Sequence, residues 1–185
     1  MQTVEYTQEI IKELQRTVDL INDVEVERLV DGILEAKKVF VAGAGRSGFM
    51  AKSFAMRMMH VGLDPYVVGE TVTPNLEEGD IFIVGSGSGE TKSLVSMTEK
   101  AKKIGATVAA VTISPNSTIA TLADITIQVP AQMKSGESSE NETIQPMGSL
   151  FEQSLLLLYD AVILRFMEKK GLDSQTMYGR HANLE

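Results

Sequence analysis

The sequence predicts an α/β fold, a three-layer doubly wound sandwich around a five-stranded parallel sheet of flavodoxin-like order. Three observations lead to this prediction. Short, wholly apolar runs recur along the chain, as expected for strands buried on both faces. Stretches with helical periodicity separate most of them, which favours parallel pairing through right-handed crossovers. Two Gly/Ser loops follow the first and third runs and therefore flank one crevice at the carboxyl edge of the sheet.

The elements follow in a simple order. Residues 1–36 are expected to form two amphipathic helices, the first with a stripe of Ile10, Ile11, Leu14, Val18 and Ile21. Residues 37–130 are expected to form the sheet core, with strands at 39–42, 66–68, 81–84, 108–111 and 125–127. The polar segment 134–142 reads as a loop. Residues 147–185 are expected to carry the C-terminal helices of the same single domain.

The amino-acid composition argues against several classes of function. The 185 residues include no cysteine and two histidines, so we expect no metal and no other cofactor. The net charge of −8 argues against a nucleic-acid partner. The N-terminus lacks the pattern of an export signal, and the most apolar stretch, 155–167, is too short for a membrane span. A cytoplasmic protein with no membrane partner is expected.

The first loop, Gly43-Ala44-Gly45-Arg46-Ser47-Gly48, has three interpretations. Its glycine spacing matches the dinucleotide fingerprint, with Glu70 near the end of the second strand. The glycines could also serve only a tight strand-to-helix turn. A Gly/Ser loop at a helix N-terminus is also a site for a compact anion, to which Arg46 and Ser47 would contribute.

The second loop, Gly85-Ser86-Gly87-Ser88-Gly89-Glu90-Thr91, favours the anion site. Ser86, Ser88 and Thr91 are candidate hydroxyl donors, while Gly87 and Gly89 let the backbone approach a phosphate closely. The alternative is that the hydroxyl residues are simply good N-caps, which is compatible with phosphate binding.

Glu152 is the candidate general base. The run Ser149-Leu150-Phe151-Glu152 has the spacing of a capping box, in which the glutamate would turn back to the amide of Ser149. Alternatively, the Gln145-Pro146-Met147-Gly148 turn delivers the carboxylate of Glu152 to a substrate, and the helix dipole favours its ionised form.

The two histidines are expected to have different roles. His60 lies 13 residues after Ser47, about 20 Å along the same helix, so a surface or interface role is expected. His181 lies in a tail that could reach its own site or a neighbour's, and it is the candidate acid–base partner.

Two helices indicate self-association. The helices near 49–61 and 150–167 are apolar over more than one face, which is wider than packing on one sheet face requires. We therefore expect a homo-oligomer, a dimer or a tetramer.

Taken together, these motifs resemble those of the sugar isomerase (SIS) domain family, and within it the 6-phospho-3-hexuloisomerases. The resemblance runs almost end to end, through both Gly/Ser loops, Gly69-Glu70-x-x-Thr73-Pro74, the 145–152 motif and the terminus Arg180-His181-Ala182-Asn183-Leu184-Glu185. It implies an oligomeric enzyme that converts 3-hexulose 6-phosphate to fructose 6-phosphate through an enediol. It also implies the ribulose monophosphate pathway of formaldehyde fixation or detoxification, with a hexulose-phosphate synthase as metabolic neighbour.

The expected site combines these residues. Glu152 and His181 are the catalytic candidates, and the substrate-binding candidates are Arg46, Ser47, Ser86, Gly87, Ser88, Gly89, Glu90 and Thr91. Two alternatives stay open: another SIS-type aldose–ketose sugar-phosphate isomerase, or a non-catalytic module that only binds a sugar phosphate.

Overall fold

The structure is a computed structural model that describes residues 1–133 and 142–183. Within these residues a five-stranded sheet has the order β2-β1-β3-β4-β5, and every neighbouring pair is parallel. The strands are β1 Val39–Gly43, β2 Pro65–Val67, β3 Ile81–Gly85, β4 Thr107–Thr112 and β5 Ile125–Gln128. The predicted fold class and strand order are confirmed.

Seven helices surround this sheet in the described part of the chain. Four of them, α1 Thr3–Val18, α2 Asp23–Glu35, α6 Ser149–Lys170 and α7 Ser174–Tyr178, lie before or after the sheet in the sequence. The other three, α3 Arg46–His60, α4 Lys92–Ile104 and α5 Thr118–Leu122, connect strands. All but Glu142 of the loop predicted at 134–142 lies outside the described residues.

Alternation along the strands divides the core into two layers. In β1, Val39 and Val41 belong to a cluster with α2, α3 and α6, whereas Phe40 and Ala42 belong to a cluster with α4 and α5. Because the strands are buried on both faces, their sequences are continuous apolar runs. This packing aligns the carboxyl ends of β1 and β3, where Gly43 pairs with Gly85.

Helix α1 packs differently from the prediction. Ile11 and Val18 of the predicted stripe are 60% and 43% exposed, while Glu13 and Thr17 are buried. The inward face therefore contains polar groups that hydropathy alone assigns to the outside, since periodicity does not reveal hydrogen-bond partners. In the described residues, no helix is both long and apolar enough to span a bilayer.

Candidate active site

Three helices begin around one cavity at the carboxyl edge of the sheet. The cavity has a volume of ≈ 270 Å³. Its wall combines the β1–α3 loop, the β3–α4 loop and the start of α6, and the segments that follow β4 and β5 complete it. The lining residues are Ala44, Ser47, Gly85, Ser86, Gly87, Ser88, Thr91, Leu94, Ile113, Met133, Gly148 and Phe151.

The N-termini at this cavity lack the side-chain caps found elsewhere. The N-caps of α3, α4 and α6 are Gly45, Thr91 and Gly148, and none of them makes a side-chain capping hydrogen bond in the described structure. By contrast, Asn22, Ser117 and Asp173 cap α2, α5 and α7 through their side chains. Uncapped N–H groups and the positive ends of helix dipoles favour an anion.

The glycines of the first loop are explained by close packing. A Cβ on Gly43 would lie 2.9 Å from the backbone of Ser47, and one on Gly48 would lie 2.8 Å from the carbonyl oxygen of Gly43. These positions thus require glycine for the strand-to-helix turn itself. Glu70, the acidic residue of the dinucleotide interpretation, pairs with Lys52 at 2.6 Å. The fingerprint spacing therefore carries no separate indication of a dinucleotide.

The second loop is held by its own hydroxyl groups. The Oγ of Ser86 accepts a hydrogen bond from the N–H of Gly89 at 3.1 Å, and the Oγ of Ser88 accepts one from the N–H of Glu90 at 3.2 Å. Both serines and Thr91 also line the cavity. The loop is therefore ordered by the protein before any ligand is bound.

Two predicted binding residues of this loop face α5 rather than the cavity. Glu90 accepts hydrogen bonds from the N–H and hydroxyl of Thr118, at 2.7 and 2.8 Å, and these bonds lower the pKa of its carboxyl. Gly89 has a φ of +65°, and a Cβ there would collide with Ser117. Neither residue lines the cavity. In this structure their side of the loop is occupied by the N-terminus of α5.

Glu152 is buried beside the cavity, with 2% of its surface exposed. Its Oε2 lies 3.1 Å from the Nε of Arg46, and the Nη1 of Arg46 lies 3.3 Å from the Oγ of Ser149. The structure thus brings together Arg46 and Glu152 across 106 positions of sequence (152 − 46). Gly148 and Phe151, on the same turn of α6, line the cavity.

The predicted capping-box geometry is not formed around Ser149. Helix α6 is N-capped by Gly148, so Ser149 is its first residue. The N–H of Ser149 donates to the carbonyl of Pro146 at 3.1 Å, and the hydroxyl of Ser149 donates to the same oxygen at 2.7 Å. Since these bonds satisfy the amide of Ser149, the Glu152 side chain is directed to Arg46 instead.

A second buried glutamate, Glu13 of α1, was not predicted as part of this region. Its carboxylate binds the segment Thr143–Gln145, which leads directly into the turn before α6. The available sequence signal was a charged residue within the inward stripe of α1, between Ile10 and Leu14. Such a residue calls for partners, but the pattern does not say which ones.

The two histidines lie together at the far end of α3. His60 is 4% exposed, so the predicted surface position is wrong within the chain, and its ring stacks on that of His181 at 5.4 Å. Burial, with Arg57 and His181 nearby, lowers the pKa of His60. Arg180 covers Gly62 in the same region. Ser47 and His60 are about 20 Å apart along the helix, so His181 and Glu152 are not brought together within one chain.

The chain belongs to the SIS domain family. The sequence model of that family matches residues 32–163, from α2 through most of α6. The match includes the sheet, both Gly/Ser loops and Glu152.

Individual relatives are similar over nearly the whole chain. The 3-hexulose-6-phosphate isomerase of Bacillus subtilis (strain 168) is 56% identical over 185 residues, covering 100% of both chains. The enzyme of the same name from Mycobacterium gastri is 41% identical over 173 residues, 94% of this chain and 86% of that one. A solved Methanococcus jannaschii protein, described as inferring a molecular function of 3-hexulose-6-phosphate isomerase, has a TM-score of 0.83, 33% identity and 100% coverage of both chains.

Proposed function

We propose that the chain is a 3-hexulose-6-phosphate isomerase, which interconverts 3-hexulose 6-phosphate and fructose 6-phosphate. The observation that carries the proposal is a cavity where three helix N-termini without side-chain caps converge next to a buried glutamate. Such a cavity suits a phosphorylated ligand whose carbon chain extends toward a base. The full-length similarity to the B. subtilis enzyme supports the choice of substrate.

In this proposal the β3–α4 loop binds the phosphate. Ser86, Ser88 and Thr91 line the cavity, and the backbone of Gly87 forms part of the same wall. The α4 dipole and hydrogen bonds from hydroxyl and N–H groups would stabilise the phosphate dianion. These local interactions would offset the repulsion from the protein's net charge of −8. Ser47 of the first loop faces the phosphate site from the opposite wall.

The chemistry is a proton transfer between adjacent carbons. Glu152 removes the proton from C2, the C–H electrons form the C2=C3 double bond, and the carbonyl oxygen on C3 takes a proton from an acid partner to become the second hydroxyl of an enediol. Glu152 then returns a proton to C3, while the hydroxyl on C2 gives its own proton to the conjugate base of that partner and becomes the carbonyl. One carboxylate can serve both transfers, because the two carbons are adjacent.

Arg46 is proposed to stabilise the negative charge that develops on oxygen. Its guanidinium pairs with Glu152 at 3.1 Å, and its side chain is 58% exposed. An exposed arginine can turn toward a substrate oxygen while it still orients the carboxylate. A cation that the protein places beside an enediolate lowers the barrier more than the same charge in bulk water does.

A coupled assay tests the reaction directly. Formaldehyde, ribulose 5-phosphate and an added hexulose-phosphate synthase generate 3-hexulose 6-phosphate, and fructose 6-phosphate is then measured. We expect product with the wild-type chain and none above background with Glu152→Gln. Binding without turnover would favour the non-catalytic module, and turnover of arabinose 5-phosphate alone would favour another aldose–ketose isomerase.

The metabolic setting follows from this reaction. The synthase that makes the substrate is the expected neighbour, in the cytoplasmic ribulose monophosphate pathway of formaldehyde fixation or detoxification. Growth of a deletion strain under formaldehyde stress tests that setting, and unimpaired growth would contradict it.

The chain is further proposed to act as a homo-oligomer, a dimer or a tetramer. Phe49 and Met56 of α3 are 64% and 59% exposed, and Leu164 of α6 is 67% exposed. Burial of such side chains against a second copy would stabilise the assembly. A monomeric mass by light scattering at micromolar concentration would contradict it.

His181 remains the proposed acid–base partner of Glu152, and its position requires that it act in a neighbouring copy's site. Mixed oligomers of Glu152→Gln and His181→Ala chains test this. If each variant is inactive alone, partial recovery on mixing would support a shared site. Normal turnover by His181→Ala would remove the residue from the mechanism.

A further inference from the structure

We propose that Glu13, in the N-terminal helix, is a positioning residue for the reaction: it anchors the segment that places the start of α6 and thus Glu152. This inference rests on the proposed function, because it assigns Glu13 to the same reaction. It adds a residue that lies outside both Gly/Ser loops and outside residues 32–163, where the family model matches.

The carboxylate of Glu13 accepts hydrogen bonds from three consecutive residues of one segment. Its Oε1 accepts from the N–H of Ile144 at 2.8 Å, and its Oε2 accepts from the side-chain amide of Gln145 at 2.8 Å and from the hydroxyl of Thr143. Glu13 is 3% exposed and Gln145 is 8% exposed. Three donors on adjacent residues fix both the position and the orientation of this backbone.

The anchored segment leads into a turn with an unusual backbone. Met147 has a φ of +56° and Gly148 a φ of +80°, and helix α6 begins at the next residue. A methionine in the left-handed region is held there by its surroundings, because an L side chain disfavours that conformation. The three hydrogen bonds to Glu13 fix the chain two residues before Met147 and so restrain this turn.

The first turn of α6 connects the anchored segment to Glu152. Ser149 donates to the carbonyl of Pro146 and accepts from Arg46, which in turn pairs with Glu152. A shift of the 143–146 segment would therefore move Ser149 and Glu152 relative to Arg46. Displacement of a catalytic group by about 1 Å can reduce turnover by about 100-fold.

The hydrogen bonds that hold the phosphate loop do not involve this anchor. Ser86 and Ser88 make them within the β3–α4 loop itself, whereas Gly148 and Phe151, at the start of α6, also line the cavity. Loss of the anchor should thus lower kcat more than it raises KM. A general loss of structure would also lower the apparent kcat at constant KM, because it reduces the fraction of active enzyme, but that loss would disappear on cooling, whereas a loss of positioning would persist.

The test compares Glu13→Ala and Glu13→Gln with wild-type enzyme, well below each melting temperature. Glu13→Ala removes every acceptor, so we expect kcat to fall about 10- to 100-fold with KM within about twofold. Glu13→Gln keeps one oxygen for Ile144, and its amide can pair with a flipped Gln145 side chain. This conservative variant is therefore expected to recover most of the lost kcat, and it keeps the test decisive if Glu13→Ala does not fold.

Thr17→Val is the matched control. Thr17 is buried one turn further along the same face of α1, with 4% exposure, and the described structure shows no hydrogen bond between it and residues 143–145. Its replacement perturbs α1 packing and should leave kcat unchanged. A kcat loss equal to that of Glu13→Ala would overturn the proposal, because it would show that any perturbation of α1 suffices.

Hydrogen exchange separates this inference from the proposed function. Amides of residues 144–152 should exchange faster in Glu13→Ala than in Thr17→Val, with the β3–α4 loop unchanged in both. If the wild-type chain does not isomerise 3-hexulose 6-phosphate, the proposed function fails while this exchange pattern would still support the anchor. If the wild type is active and both Glu13 variants retain full kcat, the positioning role is wrong.

Discussion

Glu13 and Glu152 are both buried glutamates, yet the protein surrounds them in opposite ways. Glu13 is 3% exposed and accepts three hydrogen bonds from residues 143–145. Glu152 is 2% exposed and pairs with the half-exposed Arg46, one residue beyond the cavity wall formed by Phe151. One carboxylate accepts three hydrogen bonds from a single segment, whereas the other meets an arginine whose side chain is 58% exposed.

The helix N-termini show the same contrast. Ser117 caps α5 through its hydroxyl, while Thr91, the N-cap of α4, makes no capping bond and lines the cavity. A group whose hydrogen bonds are completed by the protein contributes to stability. A group directed to a cavity is available to a ligand, so its loss should affect function more than folding.

The largest expected effect is on turnover, from Glu152→Gln. If Glu152 is the base, its replacement should lower kcat about 1,000-fold or more, since the amide cannot accept the C2 proton. The melting temperature should change little, because the amide keeps the size of the side chain. Steady-state kinetics and thermal melts at one protein concentration measure both quantities.

Glu168→Gln is the matched control on the same helix. Glu168 is a 71% exposed partner of Arg165, far from the cavity end of α6. It should retain wild-type kcat. Turnover by Glu152→Gln close to that of this control would remove Glu152 as the base.

The second largest effect is on stability, from Glu13→Ala. Three donors would lose their acceptor, the buried amide of Gln145 and the part-buried groups of Thr143 and Ile144, and each unsatisfied buried group costs about 1 kcal/mol or more. We expect a loss of about 1 to 3 kcal/mol in the free energy of unfolding, measured by urea denaturation at fixed protein concentration. A loss below about 0.5 kcal/mol, as for an ordinary surface substitution, would contradict the anchoring role of these hydrogen bonds.

A smaller effect separates Thr91 from Ser117. Thr91→Ala should raise KM for the phosphorylated substrate about 10-fold, as expected for one hydrogen bond to a charged group, with stability almost unchanged. Ser117→Ala should lower the free energy of unfolding by about 1 kcal/mol, as for other N-caps, and leave KM unchanged. Equal effects of the two variants on KM would show that Thr91 does not contact the phosphate.

The smallest effect is the acid dependence of stability. Burial by itself raises the pKa of the Glu13 carboxyl, but hydrogen bonds from Thr143, Gln145 and Ile144, with Arg16 nearby, outweigh it and lower the pKa below 4.5. A lowered folded-state pKa stabilises the protein above the unfolded value and loses that contribution as the pH falls through the folded one. The stability advantage of wild type over Glu13→Gln should therefore be constant above pH 5 and shrink below 4.5. An advantage that does not decrease at all as the pH falls below 4.5 would contradict this account.

The interaction partners of individual side chains were harder to predict than the helices and strands. The strands followed from apolar runs and their parallel pairing from the rule for crossovers, while the flavodoxin-like order was assumed as a common order for five strands and is confirmed. Glu90 was predicted to contact substrate but pairs with Thr118, which is 28 residues away. His60 was expected at the surface or at an interface, but it is buried in the chain and the ring of His181 stacks on it. Each of these differences involves a partner that local pattern does not specify.

The sequence by itself determined the fold class, the five strands, the family and the two loops at one sheet edge. All of these depend on patterns among residues that are close in the sequence, such as hydrophobic periodicity and runs of glycine and serine. The tertiary structure decided that Glu13 binds a segment 130 to 132 residues away and that Glu152 meets Arg46 rather than the Ser149 amide. It also decided which helix N-termini stay uncapped. These outcomes depend on how the helices pack, since a hydrogen bond needs its two atoms about 3 Å apart and that distance is set by the packed chain.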